Sequence, residues 1–167
     1  VPGITTPGGV THQSINDVGI MRTVPNMAIF DVGDATDIEG VLDLVYEWNG
    51  PAYIRMLRKE VPRLFPANEP MVFNRARTIT EGDDVLILSS SICTEEAMRA
   101  TAALEDKGVS VQHMHVSTLK PFTDPTIVEA LKKCKYGVVT MENHYNIGGL
   151  GSAVADLMAE NGIGKKL

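Results

Sequence analysis

Residues able to do chemistry stand in four places along the 167-residue chain. Near its start, Gly8-Gly9-Val10-Thr11-His12-Gln13 sets an imidazole in a glycine-rich loop, flanked by hydrogen-bonding side chains. Such a ring can take or give a proton near neutral pH, and glycine lets a backbone approach a ligand closely. Taken alone, a loop histidine reads more simply as a solvated or structural ring. Arg55, Arg58 and Lys59 follow a short apolar stretch, at what would be the carboxyl end of a strand. Open α/β sheets take ligands at that end, and a guanidinium fork suits phosphate. Solvation or pairing with acids fits the same residues, and the sequence leaves both open. Glu142-Asn143-His144-Tyr145-Asn146-Ile147-Gly148-Gly149-Leu150-Gly151-Ser152 places glycines between a strand and a helix, as phosphate loops do. It is neither GxGxxG nor a lysine-bearing P-loop, so tight strand–helix packing is the preferred reading. His113 and His115 alternate on a strand and face one side. Without acidic or cysteine neighbours in the sequence they read as scaffold, and no metal ligand is assigned. Cys93 and Cys134 stand in no metal or redox spacing and read as buried, reduced thiols of a cytoplasmic protein.

The elements that must position these groups alternate between strands and helices. A short helix is expected over Ser14–Arg22, broken at Val24-Pro25-Asn26, and a buried strand over Met27–Val32. Ile38, Val41, Leu42 and Val45 recur at helical spacing behind a Thr36…Glu39 capping box. Asn49-Gly50-Pro51 stops that helix, and Ala52–Leu57 reads as a parallel strand completing a βαβ unit. Residues 60–70 carry three prolines and no periodicity, the composition of a linker. Strands are then expected near Met71–Asn74, Arg77–Thr80, Val85–Leu88, Val109–Val116 and Tyr136–Met141. Helices are expected over Thr94–Lys107, from Asp124-Pro125 to Leu131, and over Leu150–Glu160 before Asn161-Gly162. The fold class is α/β with a mostly parallel sheet.

Composition is that of an ordinary soluble domain, 44% hydrophobic and 22% charged. A net charge of -6 argues against nucleic acid or an anionic membrane as the main partner. No apolar run reaches transmembrane length. The chain opens at Val1 inside a loop, so upstream residues are expected.

In order along the chain, several pieces resemble the transketolase family of thiamine-diphosphate enzymes. They are Gly9-Val10-Thr11-His12-Gln13, Met21-Arg22-Thr23-Val24-Pro25-Asn26-Met27 and Gly50-Pro51-Ala52-Tyr53-Ile54-Arg55-Met56-Leu57-Arg58, then Glu81-Gly82-Asp83-Asp84-Val85, Thr118-Leu119-Lys120-Pro121-Phe122 and Val138-Val139-Thr140-Met141-Glu142-Asn143-His144 with Gly148-Gly149-Leu150-Gly151-Ser152. The resemblance implies the second half of a pyrimidine-binding domain (residues 1–62), a linker (63–72) and a transketolase C-terminal domain (73–167). It also implies the C-terminal portion or C-terminal subunit of a split enzyme, acting in carbohydrate metabolism of the pentose-phosphate kind. Such a chain works only with an N-terminal subunit or domain, as a homodimer or heterotetramer. The implied reaction moves a two-carbon ketol unit between sugar phosphates. By resemblance, His12 lies over the reacting carbons and bonds substrate hydroxyls, and Arg58 binds the substrate phosphate. Thiamine diphosphate and Mg²⁺ are implied as cofactors, held mainly by residues outside this chain; no cofactor-binding residue is assigned within it. The glutamate that activates the aminopyrimidine and the aromatic that stacks on it are expected upstream of Val1. One departure stands out: the family carries an Asp four residues before this histidine, where Gly8 stands here, which opens the preference to a branched or unusual sugar. Readings beside this one are deoxyxylulose-phosphate synthase, which shares an Arg-rich strand end like Ile54-Arg55, a 2-oxo-acid dehydrogenase β subunit, and a non-catalytic assembly subunit.

Overall fold

A computed structural model describes residues 3, 9, 11–58 and 60–167; Gly8, Val10 and Lys59, singled out above, lie outside the described residues. The first elements are α1 (Asp17–Arg22), β1 (Ala28–Asp31), α2 (Ala35–Glu47) and β2 (Ala52–Arg55). Then come β3 (Arg77–Thr80), β4 (Val85–Ser89), α3 (Cys93–Glu105) and β5 (Val111–His115). The last are β6 (Thr118–Lys120), α4 (Pro125–Lys133), β7 (Gly137–Met141) and α5 (Leu150–Glu160). The alternation read from the sequence is therefore present, and the class is α/β.

Two sheets form, in the orders β2-β1-β6 and β3-β5-β4-β7. β1 and β2 are parallel, as are β4 with β5 and β4 with β7, whereas β6 and β3 join as antiparallel edges. β1 is buried along its whole length. Its alternation divides the strand between two cores: Ile29 packs with Val18, Leu86, Leu119 and Leu150, while Ala28, Phe30 and Val32 pack with Val41 and Met71 against α2. Full burial of Ile29 or Phe30 contributes on the order of 1.5–3 kcal/mol each. β6 comes from the later part of the chain, yet pairs with β1, Phe30 opposite Thr118. Lys120 at its end donates to the Arg22 and Val24 carbonyls, closing the C-terminus of α1.

Three local expectations are corrected. The cap of α2 is Asp34, whose Oδ1 accepts from the Asp37 amide at 3.0 Å. Thr36 instead donates to the Phe65 carbonyl and Glu39 pairs with Arg63, so the capping box does not form. An Asp at this position also lies closer to the helix's positive end and binds its amides as a full anion. No strand covers Met71–Asn74; Asn74 sits at φ 52, a left-handed geometry that interrupts extension. β2 ends at Arg55, two residues before the expected Leu57.

The proline-rich stretch has no helix or strand but is pinned to the first half. The second oxygen of Asp34 accepts from the amides of Leu64 and Phe65 at 2.7 and 2.9 Å. Phe65 is buried, with the Arg77 guanidinium 4.5 Å from its ring centroid.

Candidate functional site

His12 lies on an exposed turn closed by its own amide donating to the Gly9 carbonyl at 3.0 Å. Gly9 takes φ +67, which a glycine adopts without strain. The imidazole Nδ1 lies 2.8 Å from Thr11 Oγ1, so the flanking threonine fixes one side of the ring. Arg58 is also exposed, three residues beyond the end of β2.

Arg55 behaves differently. Its side chain is fully buried, and Nε lies 2.7 Å from Asp17 Oδ2 while Nη1 lies 3.4 Å from Asp31 Oδ1. Nη2 donates to the carbonyls of Asn143 (2.7 Å) and Ser14 (3.5 Å). The question left open between phosphate and acid pairing is thus settled for Arg55 in favour of acids. Burial works against its charge, but the charges of Asp31 and Asp17 raise its pKa above the usual value. Burial likewise opposes ionisation of Asp17, yet Arg55 more than offsets it and the pKa falls. At Asp31 burial dominates over Arg55 and the pKa rises. Tyr53 donates to Asp17 at 2.9 Å, and burial with that bond pushes its hydroxyl up to about 12.

The Ser14 carbonyl, two residues after His12, accepts from the Arg55 guanidinium, and Arg58 follows Arg55 by three residues in sequence. His12 and Arg58 are both exposed, two and three residues in sequence from Ser14 and Arg55, and the buried ion cluster itself lies at the carboxyl ends of β1 and β2. That is the end at which open sheets take ligands.

The glycine-rich segment before α5 is filled from within. The Glu142 carboxylate accepts from the amides of Leu150 (2.6 Å) and Gly151 (2.9 Å). Its Oε2 occupies the space a Cβ on Gly149 would need, 1.9 Å away. A helix N-terminus that could cradle phosphate already holds an anion, so the packing reading stands, with a cap that the sequence reading missed. Glu142 eight residues ahead of Leu150 was its only signal.

His113 and His115 do face one side, and the fold supplies the acidic company they lack in sequence. His115 Nε2 lies 2.7 Å from Asp37 Oδ2, and its Nδ1 lies 2.7 Å from Thr94 Oγ1. Thr94 meets Ser89 at 2.9 Å, and Ser89 meets His113 Nε2 at 2.7 Å. The His115 bond outweighs burial and lowers the pKa of Asp37, while burial and the neighbouring His115 press His113 down to about 4. Cys93 and Cys134 are free thiols, half-buried and buried. Among the described residues, no group of three or more His, Cys, Asp or Glu could hold a metal ion, and no helix is long and apolar enough to cross a membrane.

Comparison with known proteins bears on these features. Residues 3–63 match the transketolase pyrimidine-binding domain family, and residues 74–166 match the transketolase C-terminal domain family. A putative transketolase C-terminal section from Methanocaldococcus jannaschii is 36% identical over 168 residues, covering 99% of this chain and 52% of the relative. A 6-deoxy-6-sulfo-D-fructose transketolase subunit from Clostridium sp. strain MSTE9 is 37% identical, covering 96% of this chain and 50% of that protein. A solved split-gene transketolase, described as an inactive β4 tetramer, superposes with TM-score 0.86 at 37% identity, covering 91% of this chain and 50% of its own. The chain thus spans about half the length of the curated relatives it matches.

Proposed function

Because the chain belongs to the transketolase family, with its C-terminal domain family matching residues 74–166, we propose that it is the C-terminal section of a split transketolase. In this reading a pyrimidine-binding portion (1–62) and a C-terminal unit (73–167) are joined by residues 63–72. Together with an N-terminal section they form a cytoplasmic oligomer that moves two-carbon ketol units between sugar phosphates. The observation that carries the reading is that His12 and Arg58 are both exposed and stand two and three residues in sequence from Ser14 and Arg55 of the buried cluster. Arg55 is consumed by Asp17 and Asp31, so the strand-end arginine that suggested deoxyxylulose-phosphate synthase does not speak for its substrate. Arg58 is the guanidinium assigned to the substrate phosphate.

The chemistry assigned to this chain is positioning and proton movement. His12 Nδ1 is engaged by Thr11, and Nε2 is the atom assigned to substrate hydroxyls and to the proton that moves as the carbon–carbon bond breaks and re-forms. Thiamine diphosphate, when bound, supplies the carbanion chemistry. Its diphosphate and Mg²⁺ belong in this reading to the N-terminal section, and no described residue is assigned as a ligand to either. The sulfo-sugar subunit among the relatives, with Gly8 in place of the family's Asp, supports a substrate outside the common set.

The test is kinetic and uses the chain assembled with its N-terminal section. His12→Ala is expected to lower kcat about 100-fold or more, in the range general acid–base catalysis contributes. Arg58→Ala is expected to raise KM for phosphorylated sugars and leave unphosphorylated ones little changed. Full turnover in His12→Ala, or equal effects of Arg58→Ala on both sugar classes, removes the respective role.

A further inference from the structure

Residues 143–149 run as a strap from the C-terminal unit across the segment that follows His12, meeting Ile15, Gly19 and Arg22. Arg55 Nη2 binds the Asn143 carbonyl at 2.7 Å, and the Tyr145 amide donates to the Ile15 carbonyl at 2.6 Å. Arg22 Nη1 reaches the Gly148 carbonyl at 3.2 Å. Gly148 (φ +86) lies so close to α1 that a Cβ on it would stand 2.7 Å from the Gly19 Cα. We propose that this strap is a positioning element for the His12 loop, with His144 as its keystone, so that the C-terminal unit serves the site by fixing where the imidazole sits. The proposal rests on the assignment of His12 made above.

The argument is one of anchoring. The described contacts of Thr11 and His12 are local, reaching Gly9 and each other, and local contacts do not fix a loop relative to the rest of the fold. Close after His12, the carbonyls of Ser14 and Ile15 have distant partners. Ser14 is bound by the Gly3 amide and Arg55, and Ile15 by Tyr145 of the strap. α1 follows at once, and its N-cap residue Asn16 makes no side-chain cap bond. His144 supplies the missing acceptor. Its Nδ1 lies 2.5 Å from the Tyr145 carbonyl and must be the protonated nitrogen there. Nε2 is then a lone pair, 3.5 Å from the Gly19 amide of the first turn of α1. The ring is buried, 1% exposed, near Asp17 and Glu142. An imidazole nitrogen can accept from this helix end where a third carboxylate would add repulsion.

Two measurements test this. In the chain itself, hydrogen exchange at the amides of residues 11–16 is compared between wild type, His144→Ala, His144→Gln and Gly148→Ala. In the assembly with the N-terminal section, kcat and KM are measured for the same variants, with His12→Ala as reference. Asp124→Ala serves as the destabilised control, because Asp124 caps α4 and bonds Arg75 and Ala76, none of which belongs to the strap or the His12 loop. We expect His144→Ala and Gly148→Ala to raise exchange at residues 11–16 about tenfold and to lower kcat about tenfold, with KM for the sugar phosphate within about twofold. His144→Gln, whose carbonyl can accept from Gly19, should recover most of both. Unchanged exchange at residues 11–16 overturns the proposal. So does raised exchange with unchanged kcat, or an equal kcat loss in Asp124→Ala. If His12→Ala retains full activity, the site assignment fails instead, and the exchange result alone decides whether the strap holds the loop.

Discussion

His115 Nε2 and Asp37 Oδ2 lie 2.7 Å apart, both side chains buried, and bridge β5 to α2 across 78 positions of sequence. The bond continues through Thr94 and Ser89 to His113, so one run of hydroxyls and imidazoles crosses from the first half into the second sheet. Gly33 makes room for it: a Cβ there would stand 2.8 Å from the His115 ring, and the Gly33 amide donates to Asp37.

This run predicts acid sensitivity. His113 is held neutral with a pKa of about 4, against 6.5 for the free ring. The unfolded chain therefore binds a proton on this residue between those values that the folded chain does not. Its contribution is complete above pH 6.5 and is lost as pH falls toward 4, at about 1.4 kcal/mol per pH unit within that window. Asp31, whose pKa is raised, acts with the opposite sign, so the informative quantity is a difference. Urea unfolding at pH 7 and pH 5 should show a smaller pH-dependent loss in His113→Asn than in wild type. Equal losses would rule out His113 as the source.

Arg55 predicts a large stability effect. Arg55→Met would leave the buried carboxylates of Asp17 and Asp31 without their cation, a change that costs about 3–5 kcal/mol. Arg55→Lys should recover little, since one ammonium cannot reproduce a fork bonded to two acids and two carbonyls. Adding Asp31→Asn to Arg55→Met should restore part of the loss, as read from denaturant midpoints.

Glu142 is expected to act as a helix cap. Glu142→Ala removes both bonds to the Leu150 and Gly151 amides and should cost about 1–2 kcal/mol. Glu142→Gln, which keeps an acceptor but loses the charge, should cost about half as much. Guanidinium unfolding of the two variants measures the difference.

The thiol of Cys93 is pushed up to about 11 by burial and by the negative charges of Asp31 and Glu142. Against an ordinary value of 9.0, that leaves about a hundredfold less thiolate at neutral pH. Alkylation of the folded protein by iodoacetamide at pH 8 should be about a hundredfold slower than that of the unfolded chain. Comparable rates would mean that the thiol is more open than its surroundings indicate.

The sequence by itself determined most of the elements and the alternation of strands and helices, because these depend on residues only a few positions apart. It also offered a strand at Met71–Asn74 that does not form, and it did not show β6. The apolar run ending at Asp31 is strand whatever it meets, and Asp124-Pro125 caps α4 through Asp124 accepting from the Thr126 amide two residues on. Ordered motifs also made the family legible, and they pointed to His12 and Arg58. What only the tertiary structure decided is how charges and carbonyls distant in sequence are paired. Arg55 meets Asp17 and Asn143, 38 and 88 positions away. Lone His115 becomes half of a dyad with Asp37, Glu142 fills the helix end that resembled a phosphate cradle, and β6 crosses over to complete the sheet of β1. Each is a buried polar group, or a strand edge, that would be costly if left unsatisfied. The need for a partner is readable in one residue; the partner's identity is fixed only when packing brings the two together.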